Sequence, residues 1–160
     1  MPTPTVRTPP TGIQRLFFRM PITAYRWRLG WLMGGRFLLL NHTGRKSGLP
    51  RQAVVEVVRH DTESDCYVIS SGFGEASQWY QNVMVMPDIS IVAGRRTLDV
   101  HAERLPVDQA QQEMLDYAAR HPAAARKLCG YMGFASDGSP ETYRKVGEVL
   151  PFLRLCPRQI

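Results

Sequence analysis

The sequence predicts an α+β fold: an antiparallel β-barrel with helices packed around it. Three observations carry that expectation. Short β-rich runs recur at hairpin spacing, separated by turns rich in Gly, Asp and Arg. One of them, residues 52–59, is apolar on both faces, with Val55 and Val57 pointing one way, Val54 and Val58 the other, and Glu56 between them. A strand buried on both sides suits a barrel wall that helices cover. Residues 107–120 then set Ala110, Met114, Tyr117 and Ala118 on one helical stripe, with polar residues opposite.

Taken in order, residues 1–11 hold four prolines and little to bury, and read as a disordered lead. Residues 12–160 read as one domain, long enough to close a core. Between 12 and 34, Ile13, Leu16, Phe17, Met20, Tyr25, Trp27, Leu29, Trp31 and Leu32 alternate with Arg15, Arg19, Arg26 and Arg28. Pro21 divides this stretch into two amphipathic helical pieces. Such a segment packs on its own domain or, alternatively, makes peripheral contact with a membrane surface. Strands are expected at 36–42, 52–59 and 66–71, with a polar turn at 61–65. Residues 76–86 read as a helix stopped at Pro87. A second hairpin follows, 89–93 and 97–104, around Gly94, Arg95 and Arg96. After the helix at 107–120, His121 and Pro122 break the pattern and a second helical stretch runs to about Leu128. Residues 130–140 read as loop, 141–150 as helix and 151–157 as a last strand. There is no internal repeat.

The chain has 160 residues, a net charge of +6 and a pI near 9.6, which favours anionic partners. A nucleic-acid-binding barrel would interleave aromatics with cations on one exposed sheet face. Here the cations are dispersed, and the aromatics gather at 12–34 and at Trp79 and Tyr80, so nucleic acid is not the expected partner. Cys66, Cys129 and Cys156 lie far apart without a CxxC pair, which reads as unpaired thiols in a reducing compartment. His42, His60, His101 and His121 are equally scattered, so no metal is expected. No apolar run approaches the roughly 20 residues that span a bilayer, and no signal-peptide core is seen. These features predict a cytoplasmic protein, membrane-associated only if residues 12–34 make it so.

The most informative stretch is 41–51, Asn-His-Thr-Gly-Arg-Lys-Ser-Gly-Leu-Pro-Arg. It links two expected strands as a glycine- and proline-bounded loop that gathers Arg45, Lys46 and Arg51 beside the hydroxyls of Thr43 and Ser47. Three cations on a tight turn make an anion site, best suited to a phosphate. The spacing is not that of a Walker-type loop. Three further clusters follow. Ser70, Ser71, Gly72, Phe73 and Gly74 end a strand, where glycine lets a ligand approach the backbone. Trp79, Tyr80, Gln81 and Asn82 bring aromatic area and amides. Gly94, Arg95 and Arg96 form a second basic turn.

The order TGRKSGLPR, strand, SSGFG, WYQN, strand pair resembles the deazaflavin-dependent nitroreductase family. The resemblance covers roughly residues 34–105, and residues 107–157 are similar to a common variant of that family's C-terminal half. It implies a split β-barrel, mostly antiparallel, with peripheral helices, and coenzyme F420 as cofactor. Arg45, Lys46, Ser47, Gly48, Pro50 and Arg51 would then hold the cofactor's phosphate and acidic tail, with His42 and Thr43 close by. Ser70, Ser71, Gly72, Phe73, Trp79, Tyr80 and Asn82 would line the ring system and ribityl chain. Tyr131, Tyr143 and Ser71 are the candidate catalytic proton donors. The implied activity is hydride transfer from reduced F420 to a small, fairly apolar quinone, enone or nitro compound, by a monomer or homodimer. The alternatives are a non-catalytic carrier of a deazaflavin, flavin or lipid-like ligand, and a reductase using FMN, whose phosphate the loop does not distinguish from that of F420.

Overall fold

The computed structural model describes residues 35–135 and 137–159; the expectations for residues 1–34 lie outside these. Six strands form a closed antiparallel barrel: β1 (Phe37–Thr43), β2 (Pro50–Asp61), β3 (Cys66–Ser70), β4 (Asp88–Ala93), β5 (Arg96–Arg104) and β6 (Phe152–Pro157). The order around the wall is β1-β2-β3-β6-β5-β4, and β4 returns to pair with β1. A short 3-10 turn (Gly74–Ala76) and helix α1 (Gln78–Val85) join β3 to β4. Helices α2 (Val107–Arg120), α3 (Pro122–Tyr131) and α4 (Pro140–Val149) fill the connection from β5 to β6. β2 extends past the expected 52–59 at both ends, because pairing to β1 and β3 continues beyond its apolar stretch. α3 likewise runs to Tyr131, past the expected end near Leu128.

The alternation of β2 explains how the two layers are built. Val55 and Val57 join Leu38, Leu40, Ile69 and Leu153 inside the barrel. On the outer face, Val58 packs with Val68, Phe152 and the helical residues Met114, Tyr117 and Val146. The barrel thus has an apolar interior, and one flank of its wall is covered by helices. That flank, over β2, β3 and β6, is where a cleft remains.

Pairing registers fix which loops share an end of the barrel. Thr43 pairs with Pro50, and Asn41 with Ser90, so the 44–49 loop sits at the end where β3 finishes and α1 begins. The turn at Gly94, by contrast, lies beyond Val92, which pairs with Leu39 near the start of β1. The second basic turn is therefore at the opposite end. Its Arg96 forms an ion pair with Asp65, which accounts for one of its charges locally.

The structure corrects the reading of the cysteines. Cys66 and Cys156 are joined by a disulfide across neighbouring strands β3 and β6, with Cα atoms 4.3 Å apart and a sequence separation of 90. Sequence spacing does not show this pairing, because a long helical insertion separates two strands that meet only in the closed wall. Cys129 alone is free, and it is buried. Cys156→Ser should lower stability by roughly 2–4 kcal/mol under oxidising conditions. Adding a reductant should abolish the difference from wild type in urea unfolding, and thiol titration of the denatured, unreduced wild type should find one thiol rather than three.

Candidate functional site

The 44–49 loop is built by its own backbone. Gly44 N–H donates to the Leu49 carbonyl at 2.9 Å and Gly48 N–H to the Gly44 carbonyl at 2.8 Å. Gly48 has φ of 69°, a left-handed turn that glycine adopts without strain. At Gly44 a Cβ would stand 2.5 Å from Ser47 Oγ, so a side chain there would oblige the Ser47 hydroxyl to turn away. Lys46, Ser47 and Arg51 are exposed on this frame. Among the described residues no carboxylate pairs with Lys46 or Arg51, so both cations face solvent for an incoming anion.

Arg45 is used differently. Its guanidinium donates to Gln78 Oε1 (3.0 Å), Gln81 Oε1 (2.5 Å) and Asn82 Oδ1 (2.8 Å), and its N–H donates to Asn82 Oδ1 (3.0 Å). The loop is thus clamped to α1 by three neutral carboxamides, and the positive charge stays uncancelled. Two donors on Asn82 Oδ1 fix the orientation of that amide. Its NH2 consequently points at His42 Nδ1, 3.3 Å away, which makes Nδ1 the acceptor and leaves the ring proton on Nε2.

His42 is only 7% exposed, and its pKa is lowered to about 4, first by burial and then by the Arg51 charge. It is neutral at pH 7. Unfolded, the same imidazole takes a proton near 6.5. Between those values the unfolded chain binds more protons, so stability is full above about 6.5 and drains as pH falls towards 4. The loss from this group is roughly 3 kcal/mol. Urea unfolding of His42→Gln across that window should show a pH-dependent loss smaller by about this amount.

On the outer barrel flank lies an open cleft of about 260 Å³. Its floor is Val54, Glu56 and Val58 of β2 with Ser70 of β3; Met114 and Tyr117 of α2 and Leu128 of α3 form one side. Gly72, Phe73 and Trp79 form the end nearest the loop. Arg51 and Val54 are three residues apart on one strand, which places the basic loop roughly 10 Å along β2 from the cleft. Two residues here were read from the sequence only as strand and helix-stripe members. Tyr117 is buried, and its hydroxyl donates to Glu56 Oε1 at 3.3 Å. Burial foremost, then the Glu56 charge, raises the Tyr117 pKa. The available signal was Glu56 itself, a carboxylate in the middle of an otherwise apolar run.

The expected site residues fall into four groups. Ser70, Gly72, Phe73 and Trp79 line the cleft, and Thr43, Arg45, Lys46, Ser47, Gly48, Pro50 and Arg51 form or flank the loop. His42, Tyr80 and Asn82 are buried between them: Asn82 links loop to helix, while the Tyr80 hydroxyl accepts from Arg104 Nη1 at 3.0 Å. The three expected proton donors lie elsewhere. Ser71 is 1% exposed and its hydroxyl donates to the Gly74 carbonyl at 2.7 Å. Tyr143 packs in the helical core, and Tyr131 is 42% exposed on α3. None of the three lines the cleft. Among the described residues no helix is long and apolar enough to cross a membrane, and no group of three or more His, Cys, Asp or Glu gathers as a metal site.

The barrel is similar to the structure of an F420-H2 dependent reductase (FDR-A), at 22% identity and a TM-score of 0.50, covering 75% of this chain and 93% of that one. It is also similar to the heme storage protein HutZ from Vibrio cholerae (16% identity, TM-score 0.53, covering 87% and 90%). A pyridoxamine 5'-phosphate oxidase-related, FMN binding protein from Nostoc punctiforme gives 13% identity and a TM-score of 0.50, covering 92% and 81%. At these identities the likeness establishes the split-barrel fold. No curated relative matches the chain. The model of the F420H(2)-dependent quinone reductase family matches residues 19–128, which include the loop, the cleft floor, α1 and α2. The chain belongs to the F420H(2)-dependent quinone reductase family and is an oxidoreductase whose cofactor is F420.

Proposed function

We propose that the protein reduces a small, fairly apolar acceptor (a quinone, enone or nitro compound) at the cleft, with F420H2 as donor. The observation that carries this is the pairing of two cations, Lys46 and Arg51, that meet no carboxylate among the described residues, with an apolar, aromatic-walled cleft further along the strand that Arg51 belongs to. The residues fit such a cofactor. Lys46 and Arg51 hold its phosphate and acidic tail, with Ser47 adding a hydroxyl; Ser70, Gly72, Phe73 and Trp79 flank its ring. When bound, the reduced deazaflavin supplies a hydride. The chain supplies the rest: it orients the acceptor, keeps water off the apolar walls, and delivers a proton to the oxygen on which the electron pair collects.

Tyr117 joins Ser71, Tyr131 and Tyr143 as a candidate donor, and it is the one of the four that lines the cleft. Its O–H can leave Glu56 by rotation about the C–O bond and turn towards the acceptor. Glu56, 42% exposed, connects the donor to solvent for reprotonation.

The test is a fluorescence titration with oxidised F420, with FMN run in parallel, followed by oxidation of F420H2 with menadione, an enone and a nitroarene. Saturable F420 binding, preferred over FMN, with turnover of at least one acceptor is the expected result. Tight FMN binding without F420 binding would overturn the cofactor assignment. F420 binding without any turnover would leave a carrier.

A further inference from the structure

We propose that Glu56 acts as a charge filter on the cleft, admitting neutral and cationic acceptors and rejecting anionic ones. This rests on the cleft being the acceptor site. Among the described residues Glu56 is the sole carboxylate that lines the cleft, and no Lys, Arg or His does. The surrounding walls are Val54, Val58, Phe73, Met114, Leu128 and Phe152. Oε1 takes the Tyr117 hydroxyl, while among the described residues nothing donates to Oε2. That oxygen is therefore open to a hydroxyl or ammonium group carried by a ligand.

Among the described residues, charges outside the lining do not cancel it. Arg36 Nε lies 3.6 Å from Oε1, but the Arg36 side chain is 67% exposed and its guanidinium sits over the Phe37 ring at 5.6 Å. Water and salt screen a pair of that kind. Arg120, also on α2, donates to the Val58 carbonyl at 2.9 Å and is exposed. The His121 ring lies 5.2 Å from that of Tyr117 and is exposed to water. An anion entering the cleft thus meets a carboxylate against apolar walls, with both cationic neighbours facing water. Discounted for the exposure of Glu56, the repulsion is worth about tenfold in affinity.

The basic loop and this filter divide the labour. Anions are drawn to Lys46 and Arg51 and refused in the cleft, so the cofactor's acidic tail and the acceptor are sorted to different places by charge.

The test uses two dyes that differ chiefly by one sulfonate, N-phenyl-1-naphthylamine and 8-anilinonaphthalene-1-sulfonate, titrated into protein free of cofactor. The titrations are repeated in a Lys46→Ala/Arg51→Ala background, so that the loop does not capture the sulfonate. Wild type should bind the neutral dye more tightly. Glu56→Gln, which keeps an acceptor for Tyr117, should tighten the sulfonated dye about tenfold and move the neutral one less than about twofold. Arg36→Ala, a change at an exposed side chain, should sharpen the discrimination. The same contrast should appear in kcat/KM for 1,2-naphthoquinone against its 4-sulfonate with F420H2. Equal discrimination by wild type and Glu56→Gln, with neutral quinone still turned over, would overturn the filter and leave the proposed function standing. Wild type that binds F420 yet turns over no neutral quinone would overturn the function and the filter together.

Discussion

Replacing Lys46 and Arg51 together with alanine is expected to weaken F420 binding by at least about a hundredfold. Each cation would lose a charge-assisted contact worth roughly 1.5–3 kcal/mol, and tenfold in affinity corresponds to about 1.4 kcal/mol. Stability should hardly move, because exposed charges without a partner contribute on the order of 0–1 kcal/mol to a fold. The measurement is a fluorescence titration alongside a melting curve for the same variant. Arg45→Ala should behave differently. Its guanidinium ties the loop to Gln78, Gln81 and Asn82, so losing it should lower melting temperature as well as affinity. Unchanged F420 affinity in the double variant, with a wild-type melting curve, would remove the loop from the cofactor site.

The contrast between Arg45 and its neighbours shows what local sequence conveys and what it does not. Glycines and prolines around Arg45, Lys46 and Arg51 mark a tight basic turn, and the β-branched run after it marks a strand covered on both faces; both follow from short-range sterics and side-chain alternation. Which of three cations is consumed by the fold depends on α1, more than thirty residues later, and no spacing rule encodes that. The disulfide was hidden for the same reason: Cys66 and Cys156 meet because β3 and β6 pair in the wall after four helices and two strands intervene. Tyr117 looked like one more member of an apolar helical stripe. Its hydroxyl became visible as chemistry only when β2 placed Glu56 against it. Elements defined by nearest neighbours were legible, and groups defined by a partner across the barrel were not.

Tyr117→Phe is expected to lower kcat by about a hundredfold while leaving F420 affinity unchanged and KM for a neutral quinone within roughly threefold. The ring stays, so the apolar wall of the cleft is preserved, and only the hydroxyl that faces Glu56 is lost. Stability should fall by about 1 kcal/mol, the ordinary worth of one such hydrogen bond, since Glu56 is open enough for water to replace the donor. The pH profile separates a proton donor from a packing residue. Burial and the Glu56 charge raise the Tyr117 pKa, so the hydroxyl holds its proton through neutral pH and loses it only in strongly alkaline solution. Wild-type kcat should accordingly be flat across neutral pH and fall at the alkaline end. In Tyr117→Phe the proton must come from solvent, and kcat should climb as pH drops. Tyrosinate absorbance adds a readout that needs no cofactor: burial raises Tyr67 as well, so one of two high-titrating tyrosines should vanish in Tyr117→Phe, and one should titrate earlier in Glu56→Gln. A Tyr117→Phe enzyme with wild-type kcat and a wild-type pH profile would return the donor role to Ser71, Tyr131 or Tyr143.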